Sequence, residues 1–300
     1  MYQARRTSRS EFVPVRNLQY HVRIWGEPSA GQPPLVMVHG WMDVGASYQF
    51  VVDAFAQDRW VIAPDWRGYG LTSGGGADNY WFADYMADLD FLLDHYSPGA
   101  PVDLVGHSMG GNVVMLYAGV RPERIRRLIN LEGFGMPATR PAQAPGRYAK
   151  WMDEVKALHR GEMALKPYDD AAGVARRLMK TNPRLTQDKA DWLAQHWAAP
   201  NAQGQWAILG EPAHKIVNAN LYQLEETLAL YSRITAPTLS VVASDCQLEQ
   251  WWQGRYGLAE YHERLKSVPN LQHAEVADAA HMLHHDQPAQ LALLIEGFCA

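Results

Sequence analysis

Short apolar runs alternate along this chain with segments in which apolar residues recur at helical spacing. The runs predict β-strands at residues 13–15, 20–25, 35–38, 60–63, 102–105, 125–131 and 238–243, with a last strand ending at 275–276. Apolar positions three or four residues apart predict helices at 84–96, from the serine at 108 to about 120, at 261–265 and at 289–298. Strands that alternate with helices predict an α/β fold with a mostly parallel central sheet flanked by helices.

The strand pattern stops between about residues 133 and 233. This stretch is at first rich in Pro, Ala and Gln, and it then shows amphipathic segments at 148–158, 174–179 and 221–231. We therefore expect a core domain made of residues 1–133 and 234–300, with residues 134–233 inserted as a mainly helical unit.

A serine lies at the junction of a predicted strand and a predicted helix. Residues 106–110 read Gly-His-Ser-Met-Gly, between the apolar runs 102–105 and 113–116. A G-x-S-x-G motif carries meaning in this strand–turn–helix context, because the sharp turn excludes bulky neighbours and makes the hydroxyl project outward. Ser108 is therefore the candidate nucleophile.

A serine hydroxyl needs a base to accept its proton, and the base needs an orienting group. In folds with this elbow, the order along the chain is serine, acid, histidine. His281 follows the last predicted strand and precedes the last predicted helix, so we predict it as the base. His284 and His285 compete with it, but they belong to the approach to a helix that residues 286–288 are expected to begin.

Two carboxylates are candidates for the orienting acid. Asp245 follows the strand predicted at 238–243, and Glu132 follows the strand predicted at 125–131. Both places are carboxyl ends of strands, where parallel sheets hold their ligands. We favour Asp245, because it precedes the histidine by a plausible interval, and keep Glu132 as the alternative.

An oxyanion hole requires backbone donors already in position. The N–H group of Met109 directly follows the nucleophile, and the N–H group of Trp41 lies in the loop after the strand at 35–38. We predict these two donors and expect His39 to brace the loop by hydrogen bonds. Asp65 and Arg67, in a third loop at this end of the sheet, are interpreted as a structural ion pair.

Composition narrows the function classes. The chain has 300 residues, 47% of them hydrophobic, and a net charge of −5, which argues against nucleic acid as a partner. Its two cysteines, Cys246 and Cys299, argue against a disulfide framework. The polar N-terminus and the lack of any membrane-spanning apolar run predict a cytoplasmic protein. The partner that we expect is a small-molecule substrate, which goes with the candidate serine chemistry above. These patterns do not indicate an oligomeric state.

We expect neither a cofactor nor a metal. No Gly-x-Gly-x-x-Gly follows a strand, so a nucleotide cofactor has no support. His281, His284 and His285 are close in sequence, but no carboxylate or cysteine at ligand spacing completes a metal site among them.

The chain resembles the α/β-hydrolase superfamily. The matching pieces are the loops 39–41 (His-Gly-Trp) and 65–70 (Asp-Trp-Arg-Gly-Tyr-Gly), the elbow 106–111 and the segment around His281, in the order of that family. The resemblance implies that residues 134–233 are a cap that roofs the active site. Relatives usually have a glycine where Ala243 stands, with an aspartate a residue or two later, and some use the strand that here ends at Glu132.

The resemblance implies a serine esterase that cleaves a carboxylic ester or a related acyl bond, such as a thioester or lactone, of a small apolar or aromatic substrate. Serine at the elbow argues against haloalkane dehalogenase and epoxide hydrolase, which carry aspartate there. One alternative is a cofactor-free dioxygenase of a heteroaromatic ring, for which Trp151, Trp192, Trp197 and Trp206 could sandwich the ring. Another is a small-molecule receptor on the same scaffold.

Overall fold

The computed structural model describes residues 2–300 and forms one large sheet and one small one. The strands are β1 (Arg9–Val15), β2 (Leu18–Trp25), β3 (Leu35–Val38), β4 (Val61–Pro64), β5 (Val102–His107), β6 (Ile125–Leu131), β7 (Ala198–Pro200), β8 (Trp206–Ile208), β9 (Thr238–Ala243) and β10 (Leu271–Val276). Eight of them form the large sheet in the order β1-β2-β4-β3-β5-β6-β9-β10, and β7 pairs with β8.

The large sheet is mostly parallel, as the alternating pattern predicts. β1 and β4 each pair antiparallel with β2, while β4, β3, β5, β6, β9 and β10 pair in parallel. Parallel pairing brings the carboxyl ends of β3, β5, β6 and β9 to one edge of the sheet. The loops that follow these strands therefore meet there.

Helices cover both faces of this sheet. They are α1 (Gln49–Ala54), α2 (Phe82–Tyr96), α3 (Met109–Val120), α4 (Ala144–His159), α5 (Ala171–Thr181), α6 (Gln187–Trp197), α7 (Leu224–Tyr231), α8 (Leu248–Trp251), α9 (Leu258–Leu265), α10 (Leu283–Asp286) and α11 (Pro288–Cys299). Apolar side chains of α2, α3 and α9 pack in one core, and those of α1 and α11 pack in a second core. The predicted α/β class is confirmed.

The segment between β6 and β9 contains α4 to α7 and the β7–β8 pair. Each of these two strands has three residues, too short for a period-2 pattern to appear in the sequence. Side chains of α5 and α6 form a third core with Phe50. Helix α7 packs instead on α3, where a Cβ on Gly119 would lie 2.3 Å from the carbonyl oxygen of Leu230. The division at 134–233 stays a prediction.

The ion pair expected between Asp65 and Arg67 does not form. Arg67 binds the buried Asp88 through Nε, at 2.6 Å, and through a second guanidinium nitrogen. Asp65 lies 2.7 Å from Nδ1 of His21 instead. Neighbours in sequence here point to different partners, because the loop turns sharply after β4 and separates the two side chains.

None of the helices in residues 2–300 combines the length and the apolar character needed to cross a membrane.

Candidate active site

Ser108 lies at a sharp turn between β5 and α3. Its backbone has φ +53° and ψ −114°, a conformation that non-glycine residues rarely adopt. The turn needs small neighbours, since a Cβ on Gly106 would lie 2.4 Å from the carbonyl oxygen of Gly110, and one on Gly110 would lie 2.4 Å from that of Val38. The strained turn that the motif predicts is therefore present.

His281 lies in the loop between β10 and α10 and faces Ser108. Its Nε2 atom is 2.9 Å from Oγ of Ser108, although 173 residues separate them. The indole ring of Trp251 packs edge-on against the imidazole, with 4.6 Å between ring centroids. About a quarter of the side chain is exposed, so the imidazole is not sealed from solvent.

Glu132 holds the other side of this imidazole. Its Oε2 atom lies 2.7 Å from Nδ1 of His281, and its Oε1 atom accepts a hydrogen bond of 2.8 Å from the backbone N–H of Ala243. The carboxylate side chain has no exposed surface. A carboxylate at Nδ1 keeps a proton there and leaves the Nε2 lone pair free to accept the serine proton.

Asp245, the acid that we favour from the sequence, is not at the imidazole. Its side chain is half exposed and forms an ion pair with Arg184 of the inserted segment. β9 ends at Ala243, whose amide is held by Glu132, and the chain then turns so that the N–H of Asp245 donates to the carbonyl of Ala279. The preference for Asp245 is corrected in favour of Glu132, which the sequence leaves open as the alternative.

The loop that carries one predicted oxyanion donor, Trp41, passes against the turn that carries Ser108. A Cβ on Gly40 would be 3.1 Å from Cβ of Ser108, so the loop after β3 passes directly against the elbow. Trp41 continues this loop, Met109 begins α3, and both line the adjoining cavity. The roles of their N–H groups stay a prediction.

His39 braces this loop, as expected. Its Nδ1–H donates to the carbonyl of Gly40 at 2.8 Å, and its Nε2 accepts from the backbone N–H of Trp66 at 2.9 Å. Burial lowers the pKa of His39, so the ring stays neutral and can accept this hydrogen bond. Two loops at the edge of the sheet are thereby fixed to each other.

A cavity of about 840 Å³ lies beside the elbow, between the core and the inserted segment. The core contributes mainly aromatic and apolar side chains, among them Trp41, Tyr80, Trp81, Met86, Leu116 and Trp252. The inserted segment contributes further apolar and polar side chains, among them Met136, Gln143, Arg147, Tyr148, Ile216 and Tyr222. A mostly apolar cleft with a few polar groups is typical of a small-molecule site.

The tryptophans proposed to sandwich a ring do not line this cavity. Trp192, Trp197 and Trp206 pack against the third core, formed around α5 and α6. Trp151 lies on α4 and is not among the residues that border the cavity. Their positions remove the specific support for a ring-binding dioxygenase.

A family model described as alpha/beta hydrolase fold matches residues 33–288. The chain belongs to this family. The sequence resemblance to α/β hydrolases is therefore confirmed over most of the chain.

Hydrolases are found among its relatives in both sequence and structure. The chain is 25% identical to a serine hydrolase-like protein of Danio rerio, over 80% of this chain and 73% of that protein. It is 31% identical to 2-hydroxymuconate semialdehyde hydrolase of Pseudomonas sp. strain CF600, over 42% and 46% of the two chains. The solved thioesterase domain from the curacin biosynthetic pathway superposes with a TM-score of 0.82 at 25% identity, over 97% and 99%. These comparisons support a hydrolase.

Proposed function

We propose that this protein is a serine hydrolase that cleaves a carboxylic ester or a related acyl bond through Ser108, His281 and Glu132. The observation that carries the proposal is the hydrogen-bonded chain between them, at 2.9 Å and 2.7 Å. Serine, base and buried acid in this geometry form the arrangement that activates a hydroxyl as a nucleophile.

The first half of the reaction acylates the serine. Oγ of Ser108 attacks the carbonyl carbon as its proton passes to Nε2 of His281. The N–H groups of Trp41 and Met109 stabilise the negative oxygen of the tetrahedral intermediate. When the intermediate collapses, the bond to the leaving group breaks, and the leaving group takes the proton from Nε2.

The second half releases the acid product. Water attacks the acyl carbonyl and gives its proton to Nε2 of His281, and the proton then returns to Oγ of Ser108 as the ester bond to the serine breaks. Glu132 stabilises the imidazolium in both halves, because its ionised carboxylate is hydrogen-bonded to Nδ1.

The cavity supports a small apolar or aromatic acyl group as the substrate. Its walls come both from the core and from the inserted segment, which fits the proposed role of residues 134–233 as a cap that shapes substrate choice. A thioesterase is among the structural relatives, so thioesters belong to the substrate class alongside oxygen esters.

A fluorophosphonate probe tests the nucleophile directly. We expect stoichiometric labelling of the folded wild-type protein at Ser108 and no labelling of Ser108→Ala. Nitrophenyl esters of increasing chain length, with matched acyl thioesters, then report the preferred bond and acyl size. A folded wild-type protein that neither reacts with the probe nor hydrolyses any member of the panel would overturn the proposal.

A further inference from the structure

Three buried side chains converge behind the catalytic elbow. They are Asp43, in the loop after β3, His107, at the end of β5, and His284, in α10. One oxygen or nitrogen of each lies within 4.8 Å of the corresponding atoms of the other two. All three side chains are at least 98% buried. Three segments far apart in the sequence thus bring two imidazoles and one carboxylate to a single point.

The cluster has more lone pairs than hydrogen-bond donors. Nε2 of His107 lies 2.7 Å from the carbonyl oxygen of His281, which can only accept, so Nε2 carries the proton and Nδ1 bears a lone pair. This Nδ1 atom has no hydrogen-bond partner. The Oδ2 atom of Asp43 also has none, whereas its Oδ1 accepts from the N–H of Val44 and the hydroxyl of Ser47.

A neutral His284 cannot satisfy both of these acceptors. Neither of its ring nitrogens has a hydrogen-bond partner, and its nearest approach is 3.5 Å, from Nε2 to Oδ2 of Asp43. A neutral imidazole has one N–H group, so turning it toward Asp43 still leaves lone pairs on His107 and on His284 itself. Buried acceptors without a donor are costly, and a bound cation would satisfy all of them together.

We propose that Asp43, His107 and His284 bind one divalent transition-metal cation, of which Zn²⁺ is the test case. Imidazole nitrogen and carboxylate oxygen are ligands that such cations accept. The hydrogen bond from Nε2 of His107 to a backbone carbonyl is the contact that a metal-bound histidine usually makes with its second nitrogen.

The sequence does not indicate this site, because Asp43 lies far along the chain from His107 and His284. A search around His281, His284 and His285 finds no carboxylate or cysteine cluster at ligand spacing, whereas the fold brings Asp43, from the loop after β3, to His284 and His107. The proposal of a bound cation therefore differs from the expectation, drawn from the sequence alone, that the protein binds no metal.

Such a cation would tie together three parts of the active site. Asp43 lies two residues after Trp41, His107 directly precedes Ser108, and the backbone carbonyl that His107 contacts belongs to His281. Because the cluster is buried behind the serine, the cation would stabilise these loops rather than contact the substrate. The proposal does not depend on the hydrolase function, since metal binding is measured without a substrate.

The test uses the full chain after treatment with a chelator and exchange into metal-free buffer. Titration with ZnCl₂ in a calorimeter and elemental analysis after desalting are expected to give one Zn²⁺ per chain, together with a higher Tm. Asp43→Asn and His284→Gln are expected to lose the bound zinc. X-ray absorption at the zinc edge of the wild-type protein is expected to show two imidazole ligands, which does not require any variant to fold.

The matched control removes a pair of surface histidines. His262 and His273 are exposed and their rings lie 5.0 Å apart, so they are the obvious place for adventitious zinc. The double variant His262→Gln/His273→Gln is expected to keep one Zn²⁺ per chain and the rise in Tm. The proposal fails if wild type binds no zinc, if this control loses it, or if a folded Asp43→Asn protein binds it unchanged.

Discussion

Oε2 of Glu132 lies 2.7 Å from Nδ1 of His281, and the other oxygen of the same carboxylate accepts the backbone N–H of Ala243. This side chain therefore joins the end of β6 to the end of β9 and to the histidine loop. With both oxygens paired and the side chain buried, the carboxylate has one orientation available to it. It can thus fix both the tautomer and the angle of the imidazole.

Glu132→Gln is expected to lower kcat by about three to four orders of magnitude with little change in KM. The amide keeps the shape of the side chain, but it cannot stabilise an imidazolium, and it favours the wrong tautomer of His281. The measurement is kcat and KM for the best nitrophenyl ester, with a thermal melt to show that the variant is folded.

Asp245→Asn is the matched control for that substitution. Its side chain is half exposed and contacts Arg184 of the inserted segment, so kcat is expected to stay close to the wild-type value. If Asp245→Asn abolished turnover and Glu132→Gln preserved it, the assignment of the acid would be wrong.

The sequence predicts the elbow and the histidine but not which carboxylate serves them. The positions of Ser108 and His281 follow from a motif and from a fixed order along the chain. Asp245 and Glu132 both follow strands that end at the same edge of the sheet, so position alone does not separate them. In the structure the chain turns after β9 and Asp245 pairs with Arg184 of the inserted segment, a contact that no local sequence pattern indicates.

Several core strands could be predicted from the sequence because buried strands leave an apolar pattern. A strand buried on both faces appears as a continuous apolar run, and the run Leu-Val-Met-Val at 35–38 matches β3, whose four residues are all buried. The strands predicted at 125–131 and 238–243 match β6 and β9, although polar residues interrupt their apolar runs. Helix α6 was not predicted, because its buried residues include small alanines such as Ala190 and Ala194 that leave a weak apolar stripe. Its packing against α5 becomes visible only in the structure.

Acid is expected to weaken the contact between the inserted segment and the core. The imidazole of His214 is stacked between Tyr69 and Tyr80, with ring centroids 3.7 and 3.8 Å away. Burial lowers the pKa of His214 to about 3. The unfolded chain has the higher pKa, about 6.5, so it binds the proton first, and the free energy of unfolding falls as the pH drops from about 6.5 toward 3.

Denaturant unfolding at pH 7 and pH 4.5 measures this loss. Between pH 7 and pH 4.5, protonation linked to His214 is expected to lower the unfolding free energy of the wild-type protein by about 1–3 kcal/mol. His214→Gln is expected to be less stable at pH 7 and to depend less steeply on pH. The exposed His95 provides the control, because His95→Gln should leave the wild-type slope in place. Equal slopes in wild type and His214→Gln would contradict the assignment.

Neutralising the buried carboxylate of Asp88 is expected to cost much more free energy of unfolding than neutralising a partly exposed carboxylate. Its carboxylate has no exposed surface, receives two hydrogen bonds from Arg67, and accepts a third of 2.5 Å from the hydroxyl of Tyr20. Asp88→Asn removes the closer of the two carboxylates that face the Arg67 guanidinium and leaves Asp84 at 3.5 Å, so it should reduce the free energy of unfolding by about 3 kcal/mol.

Urea unfolding of Asp88→Asn is best compared with Asp84→Asn. Asp84 lies one helical turn away and is partly exposed. It pairs with Arg16 at 2.7 Å and only distantly with Arg67, at 3.5 Å, so its substitution should cost about 1 kcal/mol. If the two variants lost similar amounts of unfolding free energy, the burial of Asp88 would not increase its contribution to stability.

Asp286 links the inserted segment to the backbone beside His281. Its Oδ1 atom accepts a hydrogen bond of 2.7 Å from the side chain of Asn182, and its Oδ2 atom accepts one of 2.9 Å from the backbone N–H of Ala280. Asp286→Ala removes both bonds, so the loop that carries His281 should lose part of its fixed position. We expect kcat to fall by about tenfold or more with a smaller change in KM, because misplacement of a catalytic group slows the chemical step.

Two further variants separate positioning from general loosening of the inserted segment. Asn182→Ala breaks the bond from Asn182 to Asp286, together with a local bond from the N–H of Arg184, but leaves the bond between Asp286 and Ala280 in place. It should therefore reduce kcat less than Asp286→Ala does. Arg184→Ala removes the neighbouring contact to Asp245 without touching the Ala280 amide, and it should leave kcat and the rate of fluorophosphonate labelling near wild type. If Arg184→Ala slows labelling as much as Asp286→Ala, the effect belongs to the contact between insertion and core, and Asp286 has no separate role in holding His281.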